Sequence, residues 1–322
     1  MTGSWRDLEA IPEGTGPCAV TIGNFDGVHL GHRRILRSVA ETARAGAMTS
    51  VALTFDPHPL RIVAPDQAPE ALTSIGQRIE LIREQGIDRV AVLPFTAELS
   101  RLSPEEFAGR VLVSKLAAKH VTVGENFRFG RGQTGNAATL KSLGARLGFE
   151  VVLAGTVTVG DRAVSSTRVR RLVRQGRIDR AAVLLGRVFS LRGPIVRGEG
   201  IGSRRTVPTL NLAPESEVLP ADGVYVTATL LPGEDRCRES VTNVGMRPTF
   251  DGRRRTVETY LLGSLECGPP DAIELRFLRK IRDERRFPSA ESLRSQIRDD
   301  IEVAQRYFRR SGILSAQSSS VH

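Results

Sequence analysis

Two histidines three residues apart, His29 and His32, lie among three glycines, Gly23, Gly27 and Gly31, in Thr21-Ile-Gly-Asn-Phe-Asp-Gly-Val-His-Leu-Gly-His32. Spacing of three puts both imidazoles on one face at the start of a helix. Backbone N–H groups and the helix dipole there favour an anion such as a phosphate chain. Two imidazoles beside it donate hydrogen bonds to charge developing on a bridging oxygen. The glycines let the backbone turn and approach a ligand. Two surface histidines after a strand are the bland alternative.

Further polar clusters recur along the chain. His58 stands between Pro57 and Pro59, which hold the backbone extended. Gly124-Glu-Asn-Phe-Arg-Phe-Gly130 carries Asn126 and two aromatics, of which packing claims at least one. Ser165, Ser166 and Thr167 offer hydroxyls at a helix start, followed by Arg168 and Arg170. In the second half, Val196-Arg-Gly-Glu-Gly-Ile-Gly202, with Gly198 and Gly200, reads as a phosphate-binding flap. It ends in Thr209 and Asn211, hard oxygen ligands suited to Mg2+ with ATP phosphates completing the shell. Glu258 lies on an alternating stretch; a carboxylate there can take a proton from a hydroxyl attacking a γ-phosphoryl group.

Elements that position these residues follow from periodicity. Apolar runs at 18–22, 49–55, 89–94 and 119–124 read as buried strands, alternating with helices at 30–45, 74–85, 103–119 and 137–147. Ser103-Pro-Glu-Glu106 is a helix start with a capping box. This alternation predicts an α/β domain with a doubly wound parallel sheet. Gly130-Arg-Gly-Gln-Thr-Gly135 matches G-x-G-x-x-G, but the acidic residue expected about 20 residues later is missing, so it reads as a substrate loop and not a dinucleotide fingerprint. One helix is expected to continue through residue 185. From residue 189 strands alternate with turns, placing a boundary at Gly186–Arg187 and domains at 1–186 and 187–312. An amphipathic helix at 289–308 carries Leu293, Ile297, Ile301, Ala304 and Phe308 on one stripe. Residues 313–322 read as a disordered tail.

Bulk properties narrow the class. The chain has 322 residues, 40% hydrophobic and 25% charged, which suits two globular domains. No apolar run reaches the roughly 20 residues that span a membrane, and the N-terminus lacks a signal-peptide core, so a cytoplasmic protein without membrane partners is expected. Three scattered cysteines argue against a disulfide framework. A net charge of +10 suits polyanionic ligands. The arginines are dispersed, only 5% of residues are aromatic and no nucleic-acid motif is present, so nucleic acid is not the expected partner.

Gly-Asn-Phe-Asp-Gly-Val-His-Leu-Gly-His resembles the His-Xxx-Gly-His signature of nucleotidylyltransferases, and more closely that of bacterial bifunctional riboflavin kinase/FMN adenylyltransferases. The His58 loop, Gly124–Gly130 and Val164-Ser-Ser-Thr-Arg-Val-Arg170 resemble further motifs of that family in order. Pro208, Thr209 and Asn211 resemble its kinase motif Gly-Phe-Pro-Thr-Ala-Asn. Departures there are Thr206-Val207 and Leu210, and the flap is about one residue short. Leu219–Tyr225, Asn243–Phe250 and the Val-Glu of Val257-Glu258 complete the likeness, which covers residues 15–310.

The resemblance implies a C-terminal β-barrel kinase with a final helix. It implies phosphorylation of riboflavin to FMN, then adenylylation of FMN to FAD with release of pyrophosphate, with ATP as co-substrate and Mg2+ in both steps. It assigns His29, His32 and Glu258 to catalysis, and Gly23, Phe25, Gly31, Ser166, Thr167, Arg170, Gly198 and Gly200 to ATP and its phosphates. It assigns Asn24, His58 and Asn126 to the flavin and Thr209 and Asn211 to the metal. Partners are small-molecule substrates, with self-association left open. Two rivals remain: an adenylyltransferase whose altered barrel only binds flavin, and a basic RNA-binding protein retaining a relic domain.

Overall fold

The structure, a computed structural model, describes residues 4–196, 209–249, 252–263, 265 and 268–311. The flap with Gly198 and Gly200, residues 206–208 and the expected tail at 313–322 lie outside them. The chain divides into two compact units: residues 1–71 with 75–166, and residues 72–74 with 167–322. That division follows contacts. The boundary expected at Gly186 follows the change of texture instead, and barrel strands do begin three residues later, at Phe189.

In the first unit six parallel strands form one sheet: β1 (Ser4–Trp5), β2 (Cys18–Ile22), β3 (Thr49–Asp56), β4 (Arg89–Pro94), β5 (Ala118–Gly124) and β6 (Glu150–Ala154). Their order is β1-β4-β3-β2-β5-β6. Strand β2 is buried along its whole length, as an apolar run inside a parallel sheet must be. From it the chain winds to one side through β3 and β4, then to the other through β5 and β6. The order therefore reverses at β2 and β5, and ligands of such sheets bind outside the carboxyl ends of the strands at that point. Helix α1 (Leu30–Ala45) buries Leu36, Val39, Ala40 and Ala43 against β2, β3 and β5. Helices α2 (Ile75–Arg83) and α3 (Ala137–Leu147) fall within or on their expected spans.

The Ser103 capping box is present: the Glu106 N–H donates to Ser103 Oγ at 3.1 Å and the Ser103 N–H to Glu106 Oε2 at 2.7 Å. Hydrogen bonding from Ser103, its backbone N–H foremost, holds the Glu106 carboxyl below its ordinary range. The helix it starts is shorter than the sequence suggested. It runs over Pro104–Phe107, continues as a π-wound stretch over Ala108–Lys115 and stops there; Ala117, at φ +42°, turns the chain into β5.

Helices α4 (Ser166–Arg174) and α5 (Ile178–Leu185) were expected as one. Gly176 at φ +70° separates them, and a Cβ there would lie 3.0 Å from Lys280 Cδ and 3.1 Å from the Tyr225 hydroxyl. Both the backbone and the packing thus exclude a larger residue.

In the second unit six strands close an antiparallel barrel: β7 (Phe189–Val196), β8 (Leu210–Leu212), β9 (Gly223–Leu230), β10 (Arg238–Thr249), β11 (Gly252–Leu261) and β12 (Ala272–Arg282), in the order β7-β8-β11-β10-β9-β12. A ladder of buried hydroxyls crosses three of its strands. Thr229 Oγ1 donates to Ser240 Oγ (2.8 Å), Ser240 Oγ meets Thr227 Oγ1 (2.8 Å), Thr227 meets Thr242 (2.7 Å), and Thr242 donates to Thr259 (2.9 Å). All five are fully buried. On the other face of these strands Val224, Val226 and Val241 pack beneath α6 (Ala290–Ser311), against Ala304 and Phe308 of the expected stripe. The stripe also buries a charge. Asp300 is 3% exposed and receives Arg282 Nε at 3.0 Å and Nη2 at 2.8 Å.

Candidate functional site

The loop between β2 and α1 leaves the sheet where the strand order reverses. Gly23 N–H still bonds to Leu53 O of β3, and the chain then folds into a turn closed by Val28 N–H to Phe25 O, both at 3.0 Å. Phe25 (φ +46°) and Val28 (φ +36°) occupy the left-handed region, which costs on the order of 1–3 kcal/mol at each non-glycine position. Buried contacts hold this conformation. Thr54 Oγ1 donates to Asn24 O (3.1 Å), Ser166 Oγ to Asp26 O (2.8 Å), and Arg78 lies 3.5 Å from the Asp26 carboxylate.

His29 caps α1. Its Nδ1 accepts the His32 backbone N–H at 3.3 Å, so the neutral ring carries its proton on Nε2 and presents that nitrogen as a donor. The His32 ring stacks on it, with centroids 3.6 Å apart and planes 20° from parallel. Gly31 allows this arrangement: a Cβ there would sit 3.1 Å from His29 Cε1 and 3.2 Å from Nδ1. The pair thus combines a helix N-terminus with two imidazoles, an arrangement suited to phosphate.

Phe25, expected at the ATP site, turns its ring away into the core. It is 2% exposed and meets His32 edge-on at 5.3 Å. Its side chain supports the histidine, leaving only its backbone for a phosphate.

Asn24 and His58 come together, with the amide of Asn24 2.9 Å from His58 Nε2. Leu60 N–H donates to His58 Nδ1 at 3.2 Å, while the Asn24 amide nitrogen faces Nε2 on the other side of the ring. Asn126 is exposed on the loop that follows β5, the parallel neighbour of β2. Of the two aromatics in that loop, Phe129 is core, packed against Phe107 at 5.9 Å, while Phe127 stacks on Phe129 and is half-buried. The glycines of the G-x-G-x-x-G match serve packing here, Gly130 against Pro104 and Gly135 against the Phe129 ring. Ser166 opens α4, followed in it by exposed Thr167 and buried Arg170.

In the barrel, cross-strand register assembles the second cluster. Asn211 of β8 lies opposite Glu258 of β11, and Glu258 lies opposite Asn243 of β10. Directly paired residues share a sheet face, so two amides flank one carboxylate. That face is the outer one: Val224, which packs under α6, is opposite Asn243. Glu258 is half-buried and accepts the Thr256 hydroxyl at 3.1 Å. Thr209 is exposed, just before β8. Hydroxyl, amide and carboxylate oxygens on neighbouring positions form a donor set of the hard kind that Mg2+ takes. Among the described residues no group of three or more His, Cys, Asp or Glu is placed to hold a metal.

Sequence reasoning passed over Thr54, Arg78, Asp26 and Asn243. Asp26 and Asn243 stood inside quoted motifs. Thr54 and Arg78 left no local signal, because their partners lie on other elements.

Comparisons with known proteins bear on both clusters. A family model described as FAD synthetase matches residues 11–168, and one described as riboflavin kinase matches residues 185–308. The chain is similar to the bifunctional riboflavin kinase/FMN adenylyltransferase of Escherichia coli K12, 35% identical over 90% of this chain and 93% of that one. The enzyme of the same name from Pseudomonas fluorescens is 35% identical over 91% and 93%. That of Buchnera aphidicola from Acyrthosiphon pisum is 32% identical over 94% and 97%. A solved structure named as a macrolide-efflux protein from Streptococcus pneumoniae matches with a TM-score of 0.81 at 25% identity, over 94% of this chain and 98% of that one. Among the described residues no helix is long and apolar enough to cross a membrane.

Proposed function

Since the chain belongs to the bifunctional riboflavin kinase/FMN adenylyltransferase family, we propose that the two clusters above divide its two reactions between them. The enzyme phosphorylates riboflavin to FMN with ATP and adenylylates FMN to FAD with a second ATP, releasing pyrophosphate. Which residues carry each step is our assignment.

For adenylyl transfer, an FMN phosphate oxygen attacks the α-phosphorus of ATP and pyrophosphate leaves. His29 Nε2–H and the stacked His32 donate to the charge that develops on the leaving triphosphate segment. Gly23, Gly31 and the Phe25 backbone let the phosphates approach the start of α1. Ser166, Thr167 and Arg170 are assigned to the ATP phosphates, and Asn24, His58 and Asn126 to the flavin. The observation that carries this reading is the His29–His32 stack, with His29 fixed as an Nε2–H tautomer by the helix it caps.

For the kinase, Glu258 accepts the proton of the riboflavin hydroxyl as that oxygen attacks the γ-phosphorus. Asn211 and Asn243 orient it from either side. Thr209 and Asn211 are the assigned Mg2+ ligands, and the metal when bound supplies charge neutralisation on the phosphates. Gly198 and Gly200 are assigned to the ATP flap. Residues 1–186 are proposed as the adenylyltransferase domain and 187–312 as the kinase domain. We assign the protein to the cytoplasm, with small-molecule partners and no nucleic acid; light scattering tests self-association.

A chromatographic assay tests the reading: purified protein with ATP and Mg2+, given riboflavin or FMN. Riboflavin converting to FMN and then FAD is the expected result. FAD from FMN with riboflavin untouched would assign the barrel to flavin binding alone, with Thr206-Val207 as the cause.

A further inference from the structure

On one flank of α6 a groove of about 590 Å³ opens beside the barrel, lined by Val226, Arg279, Ile281, Arg306, Tyr307 and Arg310 among others. It lies along β9 and β12, whereas Asn211, Asn243 and Glu258 stand on β8, β10 and β11. Arg306 and Arg310 are one helical turn apart, and Val303 and Tyr307 repeat that spacing beside them. Arg279 reaches the same groove from the strand, where it is paired with Val226. These three arginines make no ion pair or hydrogen bond with any described residue, and all three are exposed. The neighbouring Lys280 differs, since its ammonium is held by Asp283 at 2.6 Å. Among the described residues no acidic side chain lines the groove.

Three guanidinium groups with no anion among them form a site for one: each is a planar fork that matches phosphate oxygens with two parallel bonds. A half-buried tyrosine ring and two half-buried aliphatic side chains, Ile281 and Val303, supply a surface for something flat and apolar. The volume falls in the range of small-molecule sites. We propose that this groove binds a nucleoside polyphosphate, its phosphates on Arg279, Arg306 and Arg310 and its base against Tyr307, as a site additional to those where the two reactions occur. A bound nucleotide there would bridge α6 to β12 and so report adenine-nucleotide levels to the barrel.

The test is equilibrium binding of ADP to the full chain by calorimetry, comparing wild type with Arg306→Ala/Arg310→Ala. The wild type should take up one equivalent more than the variant, or bind that equivalent about tenfold or more tightly. Both substitutions are on the solvent face of α6, and far-UV circular dichroism checks the fold. Arg279→Ala, on the strand, gives the same loss independently of the helix. Both catalytic activities at saturating substrate should persist in each variant. Equal stoichiometry and affinity in wild type and variants would overturn the proposal. So would binding of an RNA oligonucleotide that depends on these arginines without the extra equivalent of ADP, which would make the groove a nucleic-acid surface.

Discussion

The two clusters are built by opposite means. In the α/β unit, Gly23 to His32 are consecutive, and the site's shape is stored in the backbone: two left-handed non-glycine residues, a turn and a helix cap. In the barrel, Asn211, Asn243 and Glu258 come from three strands, the consecutive β10 and β11 and the earlier β8, and the pairing register makes them neighbours. A site made of local conformation is sensitive to an added methyl group. A site made of register tolerates that but fails when a strand slips by one residue, because every side chain then changes face.

The largest expected effects come from removing the central group of each cluster. His29→Ala should slow FAD formation by about 100- to 10,000-fold while FMN still accumulates from riboflavin. Glu258→Gln should slow FMN formation by about 100- to 1,000-fold and leave FAD formation from supplied FMN intact. Product chromatography reads both; a folded variant that damaged the two steps equally would break the separation drawn here.

Next comes Gly31→Ala, whose methyl group has to displace the His29 ring. We expect about a tenfold loss of adenylyl transfer with the unfolding transition little changed. Thr256→Val, which removes one hydrogen bond to Glu258 without moving the strand, should cost the kinase about fivefold. A larger loss there than at Gly31 would reverse the contrast between conformation and register.

The smallest effect concerns Cys18, on buried β2. Burial pushes its thiol up to about 11, so at about pH 8 it stays protonated and unreactive toward maleimide. Labelling should rise only as pH approaches that value or as the unit unfolds, and mass spectrometry detects it.

How much of this was legible followed the same division. The βα loop, the Ser103 cap and the stripe of α6 are local patterns, and residues 18–45 read almost as they fold. The break at Gly176 was missed because apolar spacing on both sides suggested continuity, whereas a left-handed glycine decides the matter. Phe25 was placed at the ATP site by the resemblance alone. Its burial depends on α1 folding back over it, which no window of neighbours reveals. Asp300 shows the limit from the other side: it falls on an apolar stripe, and only its partner Arg282, on another element, explains why a charge is kept there.

The hydroxyl ladder inside the barrel has a consequence for how this chain can vary. Each oxygen from Thr229 through Thr259 is another's partner. Replacing Ser240 alone with alanine takes away the oxygen to which the buried Thr229 hydroxyl donates, at a cost of about 1–3 kcal/mol for a group left unsatisfied. Replacing the whole row with aliphatic residues strands none. Drift toward an apolar interior therefore meets a penalty at a middle position such as Ser240, and these five positions are expected to change in company across descendants, whatever happens to the chemistry outside.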